Sequence, residues 1–204
     1  MKARFITLEG GEGVGKTTNL AFIEDYLKSK GVSLLRTREP GGTELGEKVR
    51  EILLHSAHVE AKTELLLVFA ARAQHIQEVI RPALAQGQWV LSDRFTDASY
   101  AYQGGGRGID LRSIVFLEQW VQEELRPDLT LLLDTPVSVG MARARARGPQ
   151  DRFESEADNF FERVRAAYLD RMEGEPDRIR RIDASVGLPE VQAAIAKELD
   201  RLFL

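Results

Sequence analysis

The chain reads as one α/β domain, a mostly parallel sheet covered by helices on both faces. Three observations predict this. Short apolar segments alternate with longer stretches of helical periodicity along the whole length. A glycine-rich turn joins the first apolar segment directly to a helix. The 204 residues, 43% of them apolar, suffice for one substantial core and exclude general disorder.

Phe5–Glu9 is a short buried strand, and the glycine turn after it opens a helix over Lys16–Lys30 that Gly31 ends. Ser33–Thr37 is the second strand, and Pro40-Gly41-Gly42 is a break. A helix over Glu44–Leu54 puts Leu45, Val49, Ile52 and Leu53 on one side. Glu64–Leu84 is a long helix, bent or interrupted near Pro82, and Gly87 closes it. Trp89–Ser92 is the third strand. Asp93–Gly108 mixes a helical stretch with a glycine-rich exit, and Leu111–Leu125 is helical. Pro127 precedes a fourth strand, Leu129–Asp134. Helices over Val137–Arg147 and Asn159–Glu173 flank a charged segment around Gly148-Pro149. Arg178–Asp183 is a candidate fifth strand, and Pro189–Leu202 is the last helix. Trp89 and Trp120 read as core residues. Ligands of such folds sit beyond the carboxyl ends of the strands, so the segments after Glu9, Thr37, Ser92 and Asp134 should share one cleft.

The formal charge is -4, from 28 basic and 32 acidic residues, and gives no basic footprint for nucleic acid. There is no cysteine, hence no disulfide and no thiolate metal site. Met1–Phe5 lacks the apolar core of a signal peptide, and no apolar run approaches ~20 residues. A cytoplasmic protein without a membrane partner is the expectation. His55, His58 and His75 are the only histidines, and no carboxylate pattern completes a zinc site around them, so their roles read as surface or structural.

Gly10, Gly11, Glu12, Gly13, Val14, Gly15, Lys16 and Thr17 fit the pattern G-x-x-x-x-G-K-[ST]. Its glycines let backbone N–H groups wrap phosphate oxygens, and the following helix adds the positive end of its dipole. Lys16 should reach the β- and γ-phosphates, and the Thr17 hydroxyl should bind Mg²⁺. Thr18, next in the same turn, joins the candidate phosphate-binding residues. The alternative is an ordinary glycine turn. The position between a strand and a helix is the one the phosphate mechanism requires.

Within this class a GTPase switch would carry D-x-x-G and N-K-x-D. No aspartate here has glycine three places later, and neither Asn19 nor Asn159 precedes lysine. A motor-type ATPase would usually be longer. A small kinase with a small acceptor remains. Thr37-Arg38-Glu39-Pro40-Gly41-Gly42 and Asp93-Arg94-Phe95 each follow a strand and place an arginine at the cleft, where a second phosphate could sit. Arg143, Arg145, Arg147 and Arg152 crowd one segment and suit the charge of a transferring phosphoryl group. A solvated helix face is the plainer reading of that cluster. The competing enzyme readings are a kinase for another nucleoside monophosphate or for a nucleoside, and a nucleoside acceptor would make paired phosphate-binding arginines unnecessary.

Phe5–Thr17, Thr37–Thr43, Phe69–Arg72, Asp93–Phe95, Tyr100–Gly108 and Pro127–Asp134 together resemble the bacterial thymidylate kinases, over nearly the whole chain. The order T-R-E-P-G-G then A-Y-Q-G-G-G-R-G carries the specificity of that resemblance. It implies a P-loop NTPase fold with a five-stranded parallel sheet, in one domain over residues 1–204 with an arginine-rich lid near residues 143–158. It implies transfer of the γ-phosphoryl group of ATP to dTMP with Mg²⁺, and a homodimer formed through helices. It also implies roles for individual residues. Arg38 and Arg94 would hold the dTMP phosphate, with Glu39 and Arg50 as supporting partners. Glu12 would contact the deoxyribose 3′-hydroxyl. Arg72 would donate to a thymine carbonyl, and Ser99 and Gln103 would meet the base edge. Tyr102 would pack beneath the sugar, where a 2′-hydroxyl would clash. Asp93 would support Mg²⁺ through a water.

The catalytic set is then Lys16, Arg94, Arg147, Arg152 and Glu12, with Arg143 beside the ATP phosphates. The family's phenylalanine four residues before the base-reading arginine is Val68 here, so either Val68 covers the base or the next residue, Phe69, reaches it. Asp134 is placed like a Walker-B aspartate or as a cap before Pro136. Asp183-Ala184-Ser185 lies in the segment that approaches adenine.

Overall fold

The structure is a computed structural model that describes residues 2–146 and 151–203. Five strands, β1 (Phe5–Gly10), β2 (Leu34–Arg38), β3 (Trp89–Asp93), β4 (Leu129–Asp134) and β5 (Ile179–Asp183), form one sheet in the order β2-β3-β1-β4-β5. Every adjacent pair is parallel. The expected strands are all present, each within a residue or so of its expected bounds, and the candidate fifth strand is real.

Side chains alternate across the pleat, so each strand feeds two cores. Ile6 and Leu8 of β1, Leu91 of β3 and Leu131 and Leu133 of β4 face one side. There they meet Leu20, Ile23 and Leu27 of α1 (Lys16–Ser29). Phe5 and Val90 face the other side, against Ile76 and Ile80. Leu132 and Ile179 meet a cluster with Phe160 and Val164 on that same side.

The helices between β2 and β3 are α2 (Glu44–His55), α3 (Ala61–His75) and α4 (Arg81–Ala85). Thr43 caps α2 by accepting from Gly46 N at 2.9 Å. The long helix expected here is indeed interrupted, by a π-helical stretch over Ile76–Ile80 that leads straight into α4. Pro82 has no N–H and crowds the carbonyl four residues back, at Glu78, and the widened turns absorb that misfit. Between β3 and β4 lie α5 (Thr96–Ser99), a second π-helical stretch over Tyr100–Gly106, and α6 (Leu111–Gln122). The rest is α7 (Val137–Arg145), α8 (Asp158–Gly174) and α9 (Leu188–Asp200).

Two core assignments are corrected. Val49 and Leu53 of α2 are buried, but Leu45 and Ile52 are 45% and 46% exposed, because only one flank of the apolar stripe reaches α3. Trp120 on α6 is 71% exposed and touches Phe116 of its own helix, while Trp89 is buried as expected. Among the described residues no helix is long and apolar enough to cross a membrane.

Candidate active site

The loop from β1 to α1 is shaped by close approach as much as by its own turn. Gly13 takes φ +67°, and a Cβ there would lie 1.9 Å from the Gly140 carbonyl oxygen of α7. Only glycine fits. Lys16 Nζ donates to Gly11 O at 3.0 Å and Gly10 O at 3.3 Å, so its ammonium lies within the loop. Burial and the nearby Arg94 charge draw its pKa down, against the carboxylates of Glu12 and Asp93. Thr17 and Thr18 stand exposed in the first turn of α1.

A cleft of about 260 Å³ opens beside this loop, over the carboxyl ends of β1 and β3. At one end Arg94 follows β3 with φ +68°, a conformation that non-glycine residues adopt at some cost in strain. Its backbone is held by Arg94 N donating to Leu8 O at 3.0 Å and Ser92 Oγ donating to Arg94 O at 2.7 Å. Its guanidinium donates to Glu12 Oε1 at 2.7 Å and Tyr168 Oη at 3.3 Å, and lies over the Tyr102 ring. Tyr102 Oη also donates to Glu12 Oε1, at 2.7 Å. Beneath them is Glu9, which accepts from Tyr168 Oη and from Phe95 N, both at 2.7 Å. Burial, helped by Asp97, pushes the Glu9 carboxyl up to about 8 despite Arg94 and these two donors.

Arg50 reaches the same cleft from α2. It donates to Pro40 O at 3.2 Å and meets no carboxylate at ion-pair distance among the described residues. Burial first, then the Arg38 and Arg94 charges, lower its pKa. Such a cation is poised for an anion. Arg38 is not at this position: its guanidinium turns to Glu47, 2.6 Å away at the surface, and does not line the cleft. Of the two, Arg50 is the one placed at the cleft, while Glu47 of α2 takes up the Arg38 guanidinium. Asp93 also lines the cleft, and its buried Oδ1 has no hydrogen-bond partner among the described residues.

The other end is built around Arg72 and Glu39. Arg72, only 1% exposed, donates from Nε to Glu39 Oε2 at 2.7 Å, from Nη1 to Ser99 Oγ at 3.1 Å and from Nη2 to Phe95 O at 3.1 Å. His75 holds the second Glu39 oxygen at 2.8 Å and Thr37 Oγ1 at 2.6 Å, a structural role as expected. Val68 lines the cleft and Phe69 does not. Phe69 packs with Leu65 and Tyr100 in the core and carries the Arg72 guanidinium 4.6 Å above its ring. One step along a helix turns a side chain about 100°, and here that step separates lining from support. Ser99, Tyr102 and Gln103 all line the cleft, from α5 and the π-helical stretch.

The arginine-rich segment divides. Arg143 donates to Ala184 O at 3.0 Å, beside the segment expected near adenine. Arg147 lies outside the described residues. Arg152 is not aimed at the phosphate loop: it donates to Leu53 O and to Glu64 Oε2, both at 2.7 Å, and is 12% exposed. The buried Glu64 carboxylate takes up its charge. Asp134 pairs with Arg165 and Arg181 and lines a smaller recess beside Gly11 and Glu12 of the phosphate loop. Glu9, Glu64, Phe153 and Tyr168 were not anticipated. Glu9 and Glu64 did leave a trace, as carboxylates within or beside apolar runs.

A parallel sheet whose phosphate loop faces a second cationic pocket and a polar recess defines a phosphate-loop kinase with a small phosphorylated acceptor. The thymidylate kinase family pattern matches residues 8–195. A thymidylate kinase of Pseudomonas syringae pv. tomato is 57% identical over 205 residues, 100% of this chain and 98% of that protein. One of Methylococcus capsulatus is 57% identical over 200 residues, 98% of this chain and 96% of that protein. A crystal structure of thymidylate kinase from Ehrlichia chaffeensis superposes with a TM-score of 0.81 at 34% identity, covering 98% of this chain and 99% of the other. The chain belongs to the thymidylate kinase family, whose reaction moves the γ-phosphoryl group of ATP to dTMP and yields dTDP and ADP.

Proposed function

We propose that this chain performs that transfer in line and directly, with ATP over the phosphate loop, dTMP in the cleft and residues 143–158 as the lid of a single domain. The observation that carries the assignment is Arg50 and Arg94 facing the cleft that Lys16 also faces. A phosphate oxygen of dTMP attacks the γ-phosphorus, a new P–O bond forms, and the bond to the β-phosphate oxygen breaks. That acceptor oxygen is already largely ionised near neutral pH, so catalysis rests on alignment and charge neutralisation rather than on a strong base.

Lys16 holds the transferring group, and Arg94 and Arg50 hold the acceptor phosphate. A nucleoside acceptor would leave these two arginines without an anion. Glu12 aligns Arg94 and Tyr102 and meets the sugar. Tyr102 supplies the bulk that excludes a ribose. Arg72, Ser99 and Gln103 read the base edge, with Val68 and Phe153 as its apolar walls. The buried Oδ1 of Asp93 and the exposed Thr17 hydroxyl suit Mg²⁺, which when bound neutralises phosphate charge. The working form is a homodimer in the cytoplasm, without nucleic-acid or membrane partners. The exposed apolar side chains of α2, α3 and α6 support the dimer.

The test is ADP release with dTMP, UMP, dCMP and thymidine as acceptors, for wild type, Arg94→Ala and Arg50→Ala. The expected result is a clear preference for dTMP. Each arginine variant should lose on the order of 10² or more in kcat/KM for dTMP, with a smaller effect on ATP binding. Equal wild-type efficiency with dTMP and dCMP would remove the base assignment and leave a nucleoside monophosphate kinase.

A further inference from the structure

Glu64 is fully buried on α3 and faces three side chains from two other segments. Its Oε1 accepts from Gln103 Nε2 at 2.8 Å. Its Oε2 accepts from Arg152 at 2.7 Å, and Arg107 Nε spans both oxygens at 3.3 Å. A carboxylate held between two guanidiniums has only acceptors to offer. The Gln103 carboxamide must therefore turn its NH₂ toward Glu64, since the opposite orientation would set two oxygens against each other. Gln103 lines the cleft, and among the described residues no protein donor meets its Oε1.

We propose that Glu64 is a specificity-determining residue: by fixing the Gln103 amide in one orientation, it presents a carbonyl oxygen to the base. Ring N3 of thymine carries a hydrogen, whereas N3 of cytosine carries a lone pair. An acceptor from the protein pairs with the first and repels the second. Arg72 acts at the exocyclic 4-position, where its donors suit a carbonyl and not an amine. Glu64 adds an independent discrimination one ring atom away without touching the substrate. This deepens the reading of the cleft as a dTMP site and rests on it.

The experiment compares kcat/KM for dTMP, dUMP and dCMP in wild type, Glu64→Gln, Glu64→Asp and Glu64→Gln/Gln103→Glu. In Glu64→Gln the neutral partner can accept or donate, so Gln103 is free to turn over. The dTMP-to-dCMP ratio should fall about ten-fold or more, while dUMP, which shares the N3 hydrogen, keeps its ratio to dTMP. The double variant reverses the pair, with a donor at position 64 and a carboxylate at position 103 that can only accept from the base, and the ratio should recover. If Glu64→Gln fails to fold, Glu64→Asp keeps the charge opposite Arg107 and Arg152 but withdraws it from Gln103, and it should show the same loss. A merely structural Glu64 would lower all three substrates in proportion. An unchanged dTMP-to-dCMP ratio in both single variants, with wild type preferring dTMP, overturns the role of Glu64 alone. A wild type that uses dCMP as well as dTMP overturns the dTMP reading, and this inference with it.

Discussion

Lys16 lies 3.0 Å from the Gly11 carbonyl oxygen and 3.3 Å from that of Gly10, and it supports no core contact. Lys16→Ala should therefore lower kcat by on the order of 10²–10³ while stability stays within about 1 kcal/mol. Turnover near wild type, measured by coupled ADP release, would defeat the phosphate-loop assignment. Glu9 behaves differently, because its environment changes its protonation. Its folded pKa of about 8 stands above the ordinary 4.5, chiefly through burial. Between those values the folded chain holds a proton that the unfolded chain has lost, so stability falls as pH rises from about 4.5 through 8. Glu9→Gln keeps the shape without the titration. Thermal melts from pH 5 to 9 should show the variant gaining on wild type as pH rises. Parallel pH dependences would contradict the raised pKa.

Elements place these residues by competing for them. Arg152 docks on α2, where its N donates to Leu54 O at 3.2 Å, and its guanidinium joins Glu64 with Arg107. An arginine serving only the transferring phosphoryl group would leave the melting temperature alone. Arg152→Ala instead removes one of two cations from a buried carboxylate, at a cost of roughly 1–3 kcal/mol. Calorimetry and steady-state kinetics on the same preparation separate the two roles. A lower kcat with an unchanged melting temperature would return Arg152 to the phosphates. The π-helical stretch over Tyr100–Gly106 works in the same constructive sense. Its wide turns bring Tyr102 and Gln103 to the cleft together with Ser99.

At the scale of the molecule, one surface stands out. Helix α2 packs on α3, and α3 on α6. Their outward sides carry Leu45, Ile52, Leu66, Phe116 and Trp120, each more than 40% exposed. Exposed apolar side chains on packed helices suit a protein partner, and a second copy of the chain is the proposed occupant. Trp120→Glu should shift the sedimenting species from dimer to monomer at micromolar concentration, with the fold retained by circular dichroism. A wild type that sediments as a monomer at all concentrations would remove the dimer.

The phosphate loop was readable because its geometry is local: backbone N–H groups, glycine torsions and a helix start lie within eight neighbouring residues. Strands and helices were readable because burial imprints its period on the chain, and the order of motifs over nearly its whole length named the family. What sequence could not rank were side chains competing for partners far away in the chain. The family resemblance ranks Arg38 above Arg50, and only the packing of α2 turns Arg38 to a carboxylate and Arg50 toward the cleft. Val68 and Phe69 are neighbours, and only the phase of α3 against the sheet decides which meets the cleft. Glu64 lies 39 residues from Gln103 and 88 from Arg152, so no local pattern could announce their meeting. Local chemistry determined what this protein binds and does. The tertiary structure decided which of several similar side chains is placed to do it, because burial leaves each charge only the partner that folding brings within reach.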